Sequence, residues 1–173
     1  MFFKIFRKEK VPVVPNGYPS YSAKDFEEIL KVFPEQSLQI ANDYLSLVQF
    51  DQTSEFGRLV SGSGRDLHSL TQAVAARYKL EKKQAVTVSR FFANIATTRE
   101  EQTRKEDLGI SKCIWMTTTC GFRKDGPNTS HALFSGQQFD ADLGLRTEEG
   151  YLLPGVAIDC TCIGKSIIPG LEG

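Results

Sequence analysis

Four residues in the last third of the chain, Cys120, His131, Cys160 and Cys162, have side chains that bind soft metal ions or act as nucleophile and base. They include three of the four cysteines and one of the two histidines in the whole sequence. Cys160 and Cys162 stand two apart in Asp159-Cys160-Thr161-Cys162, so on a strand both thiols project from one face. Two thiolates on one face can approach a single ion, and His131 with Cys120 would complete a tetrahedral Cys3His zinc site. Cys113 competes with Cys120 for the fourth place. A small β module with little core of its own gains most from such a clip, because metal binding and folding then become one equilibrium. A second reading needs no ion: the cysteines are small buried hydrophobes and His131 is a hydrogen-bonded structural histidine. A third makes Cys120 or Cys160 a nucleophile with His131 as its base, oriented by Asp125, Asn128 or Asp159.

Such residues need a scaffold, and the hydrophobic periodicity divides the chain into two kinds of scaffold. From Ile110 onward the pattern is that of short strands and turns. Cys113-Ile114-Trp115-Met116 predicts a strand buried on both faces, with Trp115 as a core anchor. Leu133 to Phe139 predicts two short strands around a Ser135-Gly136 turn, and Glu148-Glu149-Gly150 before Tyr151-Leu152-Leu153 predicts a second hairpin. Val156 to Ile168 predicts a last strand, stopped by Pro169-Gly170.

The preceding residues 21–109 predict about four helices. The first begins at Ser22 with Asp25 and runs through Phe26, Ile29, Leu30 and Phe33 to Pro34; the second spans about residues 35–49. A short segment around Phe56, Leu59 and Val60 ends at Ser61-Gly62-Ser63-Gly64, which reads as a linker. A third helix covers about residues 66–79, with His68 on its polar face. A fourth covers about residues 81–108, with Gly109 as its stop. The later turns of that helix, from Thr98 to Glu106, are nearly all polar and predict a solvated face. Residues 1–20 form an arm, with three prolines between Val11 and Pro19 that favour extended backbone. The expected class is therefore α+β: an arm at 1–20, a helical region at 21–109 and a β-hairpin-rich module at 110–173.

Composition narrows the functional classes. An apolar share of 40% with 24% charged residues is that of a globular protein. The 21 basic and 21 acidic residues cancel, so no global field draws the chain to nucleic acid or to an anionic membrane. A local basic group, Arg77, Lys79, Lys82, Lys83 and Arg90, offers DNA contact, although interleaved acids favour a solvated face. No apolar run reaches the roughly 20 residues that span a bilayer. Met1 to Arg7 is too short and too charged for the apolar part of a signal peptide, which implies synthesis in the cytoplasm, where thiols stay reduced.

The ordered set of motifs carries a resemblance. Gly64-Arg65-Asp66-Leu67-His68-Ser69-Leu70-Thr71, Ser89-Arg90, Leu108-Gly109-Ile110, Trp115, Ser130-His131, Ser135-Gly136-Gln137-Gln138-Phe139, Pro154-Gly155, Cys160-Thr161-Cys162 and Ile167-Ile168-Pro169-Gly170 resemble the phage head morphogenesis family, the Mu F-like minor head proteins. The order and spacing match over about residues 56–170. The resemblance implies a non-enzymatic virion component, made in small numbers in the host cytoplasm and incorporated into an oligomeric head. It would contact the portal protein or the major capsid protein, with packaged DNA as a further partner, and would act in head assembly, DNA packaging or delivery. No catalytic residue and no required cofactor follow from it, and Trp115, Gly136, Phe139, Pro154 and Gly155 become structural motif positions. The chain departs from the family in being short, in the long segment 119–129 before His131, and in Thr161, where members commonly carry arginine. The competing function is a zinc- or Cys/His-dependent hydrolase, or a nuclease-like toxin.

Overall fold

The computed structural model describes residues 23–49, 53–63, 66–117, 128–147, 150–157 and 160–170. It has the α+β architecture expected from the periodicity, with helices first and a small antiparallel β module after them. The arm at 1–20 lies outside the described residues.

The helices are α1 (Ala23–Val32), α2 (Ser37–Val48), α3 (Glu55–Ser63), α4 (Leu67–Tyr78) and α5 (Lys82–Asp107). There is one more than the sequence pattern predicts. Ser61, Gly62 and Ser63 form the last turn of α3 rather than a linker, because Phe56 and Val60 bury its apolar side and packing outweighs the weak helix propensity of Ser and Gly. Asp66 caps α4 by accepting the amide of His68 at 2.9 Å. Glu81 and Gln84 form a capping box at the start of α5. Gly109, at φ +66°, ends α5 as predicted, with Ile110 N–H donating to Lys105 O at 2.8 Å.

Stacked and edge-on aromatic rings fill the space between the helices. Phe26 stacks on Tyr44 with ring centroids 4.0 Å apart, and Phe56 meets Phe92 edge-on at 4.7 Å. The apolar stripe of α5, formed by Ala85, Val88, Phe91, Phe92 and Ile95, is wholly buried, which makes α5 the spine of the fold. No described helix is long and apolar enough to cross a membrane.

The β module contains β1 (Lys112–Met116), a 3-10 helix (Asn128–Phe134), β2 (Gln138–Asp140), β3 (Leu145–Thr147), β4 (Gly150–Leu152) and β5 (Ile163–Ser166). One sheet has the order β2-β1-β5, all antiparallel, and β3 pairs with β4 in the expected second hairpin. Three local expectations are corrected. Residues 128–134 form the 3-10 helix rather than a strand, so the Ser135-Gly136 turn joins a helix to β2. The last strand covers only Ile163–Ser166, and residues 160–162 precede it without ladder pairing. β1 buries one face, not two: Cys113 and Trp115 point inward while Met116 is exposed, because no described element covers the outer face of so small a sheet.

The polar turns at the end of α5 also differ from expectation. Thr98 and Gln102 are buried, Gln102 to 2% exposure, and Gln102 Nε2 donates to Asp142 O at 2.8 Å. Gln102 thus ties this end of α5 to the β module, while Glu100, Glu101, Arg104 and Glu106 in the same turns are exposed as expected.

Candidate metal centre

β1 is the hub from which the site is built. Trp115 N–H donates to Gln137 O, and Gly136 N–H donates to Trp115 O, both at 2.8 Å. Those two bonds tie the Ser135-Gly136 turn to the middle of the strand. One residue beyond β1, Thr117 Oγ1 donates to His131 O at 3.0 Å, which anchors the 3-10 helix carrying the imidazole. On the other side of β1, Met116 pairs with Ile163, so Cys162 arrives next to the same end of the strand.

The result is a compact group of donors. Among the described residues, His131, Cys160 and Cys162 place their ligand atoms within 4.8 Å of one another. His131 Nδ1 lies 3.4 Å from Cys160 Sγ and 3.9 Å from Cys162 Sγ. All three are buried, with 8%, 7% and 3% exposure respectively. Thr161 between the cysteines is exposed, so the two thiols share a side as the two-residue spacing predicts, although the segment lies outside β5.

The three described donors are of the type that bind zinc. A tetrahedral ion with Zn–S of about 2.3 Å and Zn–N of about 2.05 Å separates its nitrogen and sulfur ligands by roughly 3.6 Å. The two observed distances bracket that value. Burial pushes the His131 imidazole below its ordinary pKa, partly opposed by the charge of Asp25 on α1, which favours the neutral ring that ligates metals. Cys120 lies outside the described residues. Cys113, the rival fourth ligand, is not part of the group: it sits in the sheet opposite Phe139 and Ser166, and burial raises its pKa.

The other motif residues surround this centre. Trp115 is fully buried, with its ring edge-on to His131, Phe134 and Phe139 at 5.7, 5.3 and 5.8 Å. Its Nε1 is buried with no hydrogen-bond partner among the described residues. Pro154 and Gly155 turn the chain toward the cysteines. Gly155 has φ +81°, and a Cβ there would lie 3.2 Å from Cys162 O, so glycine suits the position twice over. Comparison with protein-family models, curated proteins and solved structures finds no match to this chain.

The remaining candidates lie elsewhere. His68 is exposed on α4, with its ring nitrogen 2.9 Å from the Gln72 amide. Together with Thr71, Gln72, Ala75 and Lys82 it lines a shallow cleft of about 310 Å³ that contains no motif residue from the β module. Arg77 is not available for DNA, because Asp43 and Glu55 hold it; Lys79, Lys82, Lys83 and Arg90 are exposed. Asp125, Asn128 and Asp159, the candidate orienters of a Cys/His nucleophile, have no described side chains. Sequence reasoning gave no role to Thr117, Asn94 or Gln102, whose partners are backbone carbonyls 14 to 63 residues away and leave no local pattern.

Proposed function

We propose that this chain is a minor head protein of a phage, associated with the portal vertex and acting in head morphogenesis, DNA packaging or delivery, with a β module clipped by zinc. One observation carries the reading. The positions that resemble the family, Trp115, His131, Gly136, Phe139, Pro154, Gly155, Cys160 and Cys162, each have a packing, turn or ligand role around one buried centre. Such an arrangement suits a folding signature better than a catalytic cleft, since a buried donor set offers a substrate no approach. The partners would be the portal protein, the major capsid protein or both, with packaged DNA as a further contact, inside an oligomeric assembly.

The 3.4 Å approach of Cys160 Sγ to His131 Nδ1 also supports a second reading, a Cys/His hydrolase. The burial of both groups weighs against it.

Quantitative mass spectrometry of virions from the phage whose genome carries the chain tests the main reading. The expected result is a component present at far lower copy than the major capsid protein, lost from heads when His131→Ala is introduced. A chain absent from virions, or a purified chain whose hydrolytic turnover disappears in a folded His131→Ala variant, would overturn it. For the ion, elemental analysis after purification without added metal should find about one zinc per chain, and less than about 0.2 equivalents would defeat the clip.

A further inference from the structure

The geometry points to Asn94, in the middle of α5, as a positioning residue for the metal centre that acts through the Ala157 carbonyl, the acceptor it shares with the Cys160 amide. The inference rests on the zinc-clip reading above and extends it to a residue far from the motif series.

Cys160 lies outside the strands, whereas Cys162 adjoins β5, whose first residue pairs with Met116. The Cys160 amide donates to Ala157 O at 2.9 Å. The same carbonyl accepts a second hydrogen bond, at 3.0 Å, from Asn94 Nδ2. A carbonyl oxygen has two lone pairs, so both bonds can be full ones.

The mounting of Asn94 suits this role. Phe91, Phe92 and Ile95 around it are completely buried, so the amide projects from the most firmly packed part of α5. Asparagine is a poor residue for a helix interior, so the helix itself gives no reason for it. The reason lies 63 residues away, at Ala157. A metal ligand must sit within about 0.5 Å of its productive position, and removing an outer-shell partner typically weakens metal binding about 10- to 100-fold. Gln102 provides an internal control: it makes a bond of the same kind, from α5 to a carbonyl of the β module, but at Asp142 in the turn between β2 and β3.

The test is zinc affinity by chelator competition, together with the thiolate-to-cobalt charge-transfer absorption of the Co²⁺-substituted full chain. Asn94→Ala should bind zinc about 10- to 100-fold more weakly than the native chain and lose part of the charge-transfer intensity, while Gln102→Ala keeps native affinity. Asn94→Asp keeps the volume but sets an acceptor against Ala157 O, so it should show the same loss, and it carries the comparison where Asn94→Ala does not fold. Native zinc binding in both Asn94 variants, within about threefold, would overturn the inference, as would an equal loss in Gln102→Ala. A native chain that takes up no zinc would instead defeat the clip on which the inference depends.

Discussion

Asp43 on α2 and Arg77 on α4 form a two-bond fork across 34 residues of sequence, with Nε to Oδ2 at 2.7 Å and Nη2 to Oδ1 at 2.9 Å. Tyr78 donates its hydroxyl to the same carboxylate, and Glu55 on α3 approaches Arg77 Nη1 to 3.5 Å. Three helices therefore meet on one guanidinium, whose pKa is raised chiefly by its hydrogen bonds to Asp43. The carboxylate side chain is only 8% exposed.

Replacing Asp43 by alanine would leave a partly buried cation and a buried hydroxyl without their acceptor. Breaking such a group from one side costs on the order of 3 kcal/mol, more than the net worth of the pair itself. Urea unfolding of Asp43→Ala should show a lower midpoint at an unchanged slope. A midpoint equal to the native one would mean that Glu55 and water replace the carboxylate without loss.

Tyr78 makes the same cluster sensitive to alkali. Burial, together with the charge of Asp43, pushes its phenol far above the ordinary tyrosine value. A group whose folded pKa is raised contributes fully below its unfolded pKa of about 10 and loses that contribution as pH rises, because the unfolded chain ionises first. Stability should therefore fall above about pH 10, and less steeply in Tyr78→Phe. At neutral pH the substitution should cost only about 1 kcal/mol, since Asp43 keeps both bonds to Arg77. Identical alkaline slopes for the two chains would show that Tyr78 is not the responsible group.

Among the described glycines, Gly144 makes the tightest backbone approach. An added Cβ would lie 2.4 Å from Leu152 O, and φ is +92°, so both space and conformation exclude a side chain. Leu152 is held in register opposite Leu145 and cannot withdraw without breaking the β3–β4 hairpin. Gly144→Ala should cost at least about 2 kcal/mol and accelerate amide exchange in that hairpin. Native exchange rates there would count against the close approach.

Residues whose neighbours are near in sequence were legible from the sequence, and those whose partners are distant were not. The helical stripes of α2, α4 and α5, the stop at Gly109 and the Tyr151 hairpin all follow from local periodicity and turn chemistry. The burial of Gln102 did not, because its partner is a carbonyl 40 residues later. For the candidate site, the two-residue spacing already placed Cys160 and Cys162 together. The sequence left Cys113 and Cys120 as rivals for the fourth place; Cys113 pairs with Phe139 and Ser166 inside the sheet, away from the group, and Cys120 lies outside the described residues. The 3-10 helix at His131 escaped notice because Leu133 and Phe134 are equally good strand residues, and the hydrogen bond from Thr117 that fixes the turn comes from outside the segment.

Metal removal separates a zinc clip from packing alone, because the two predict different patterns among variants. A ligand held only by the folded state stabilises it by RT ln(1 + [L]/Kd), about 4 kcal/mol at a thousandfold excess over Kd. Treating the native chain with a chelator should therefore lower its melting temperature by roughly 8–16 °C, about 2–4 °C for each kcal/mol lost in a chain of this size. In His131→Ala and Cys162→Ala that chelator effect should vanish, since each substitution already removes a donor from a group whose atoms lie within 4.8 Å of one another. The double variant should then be little worse than either single one, because residues that act through one ion are not additive. If packing alone joins them, the chelator leaves every chain unchanged and the losses are set by the volumes removed: modest for Cys162→Ala, larger for His131→Ala, whose ring packs edge-on against Trp115 at 5.7 Å. Melting curves of the four chains with and without chelator decide between the two patterns.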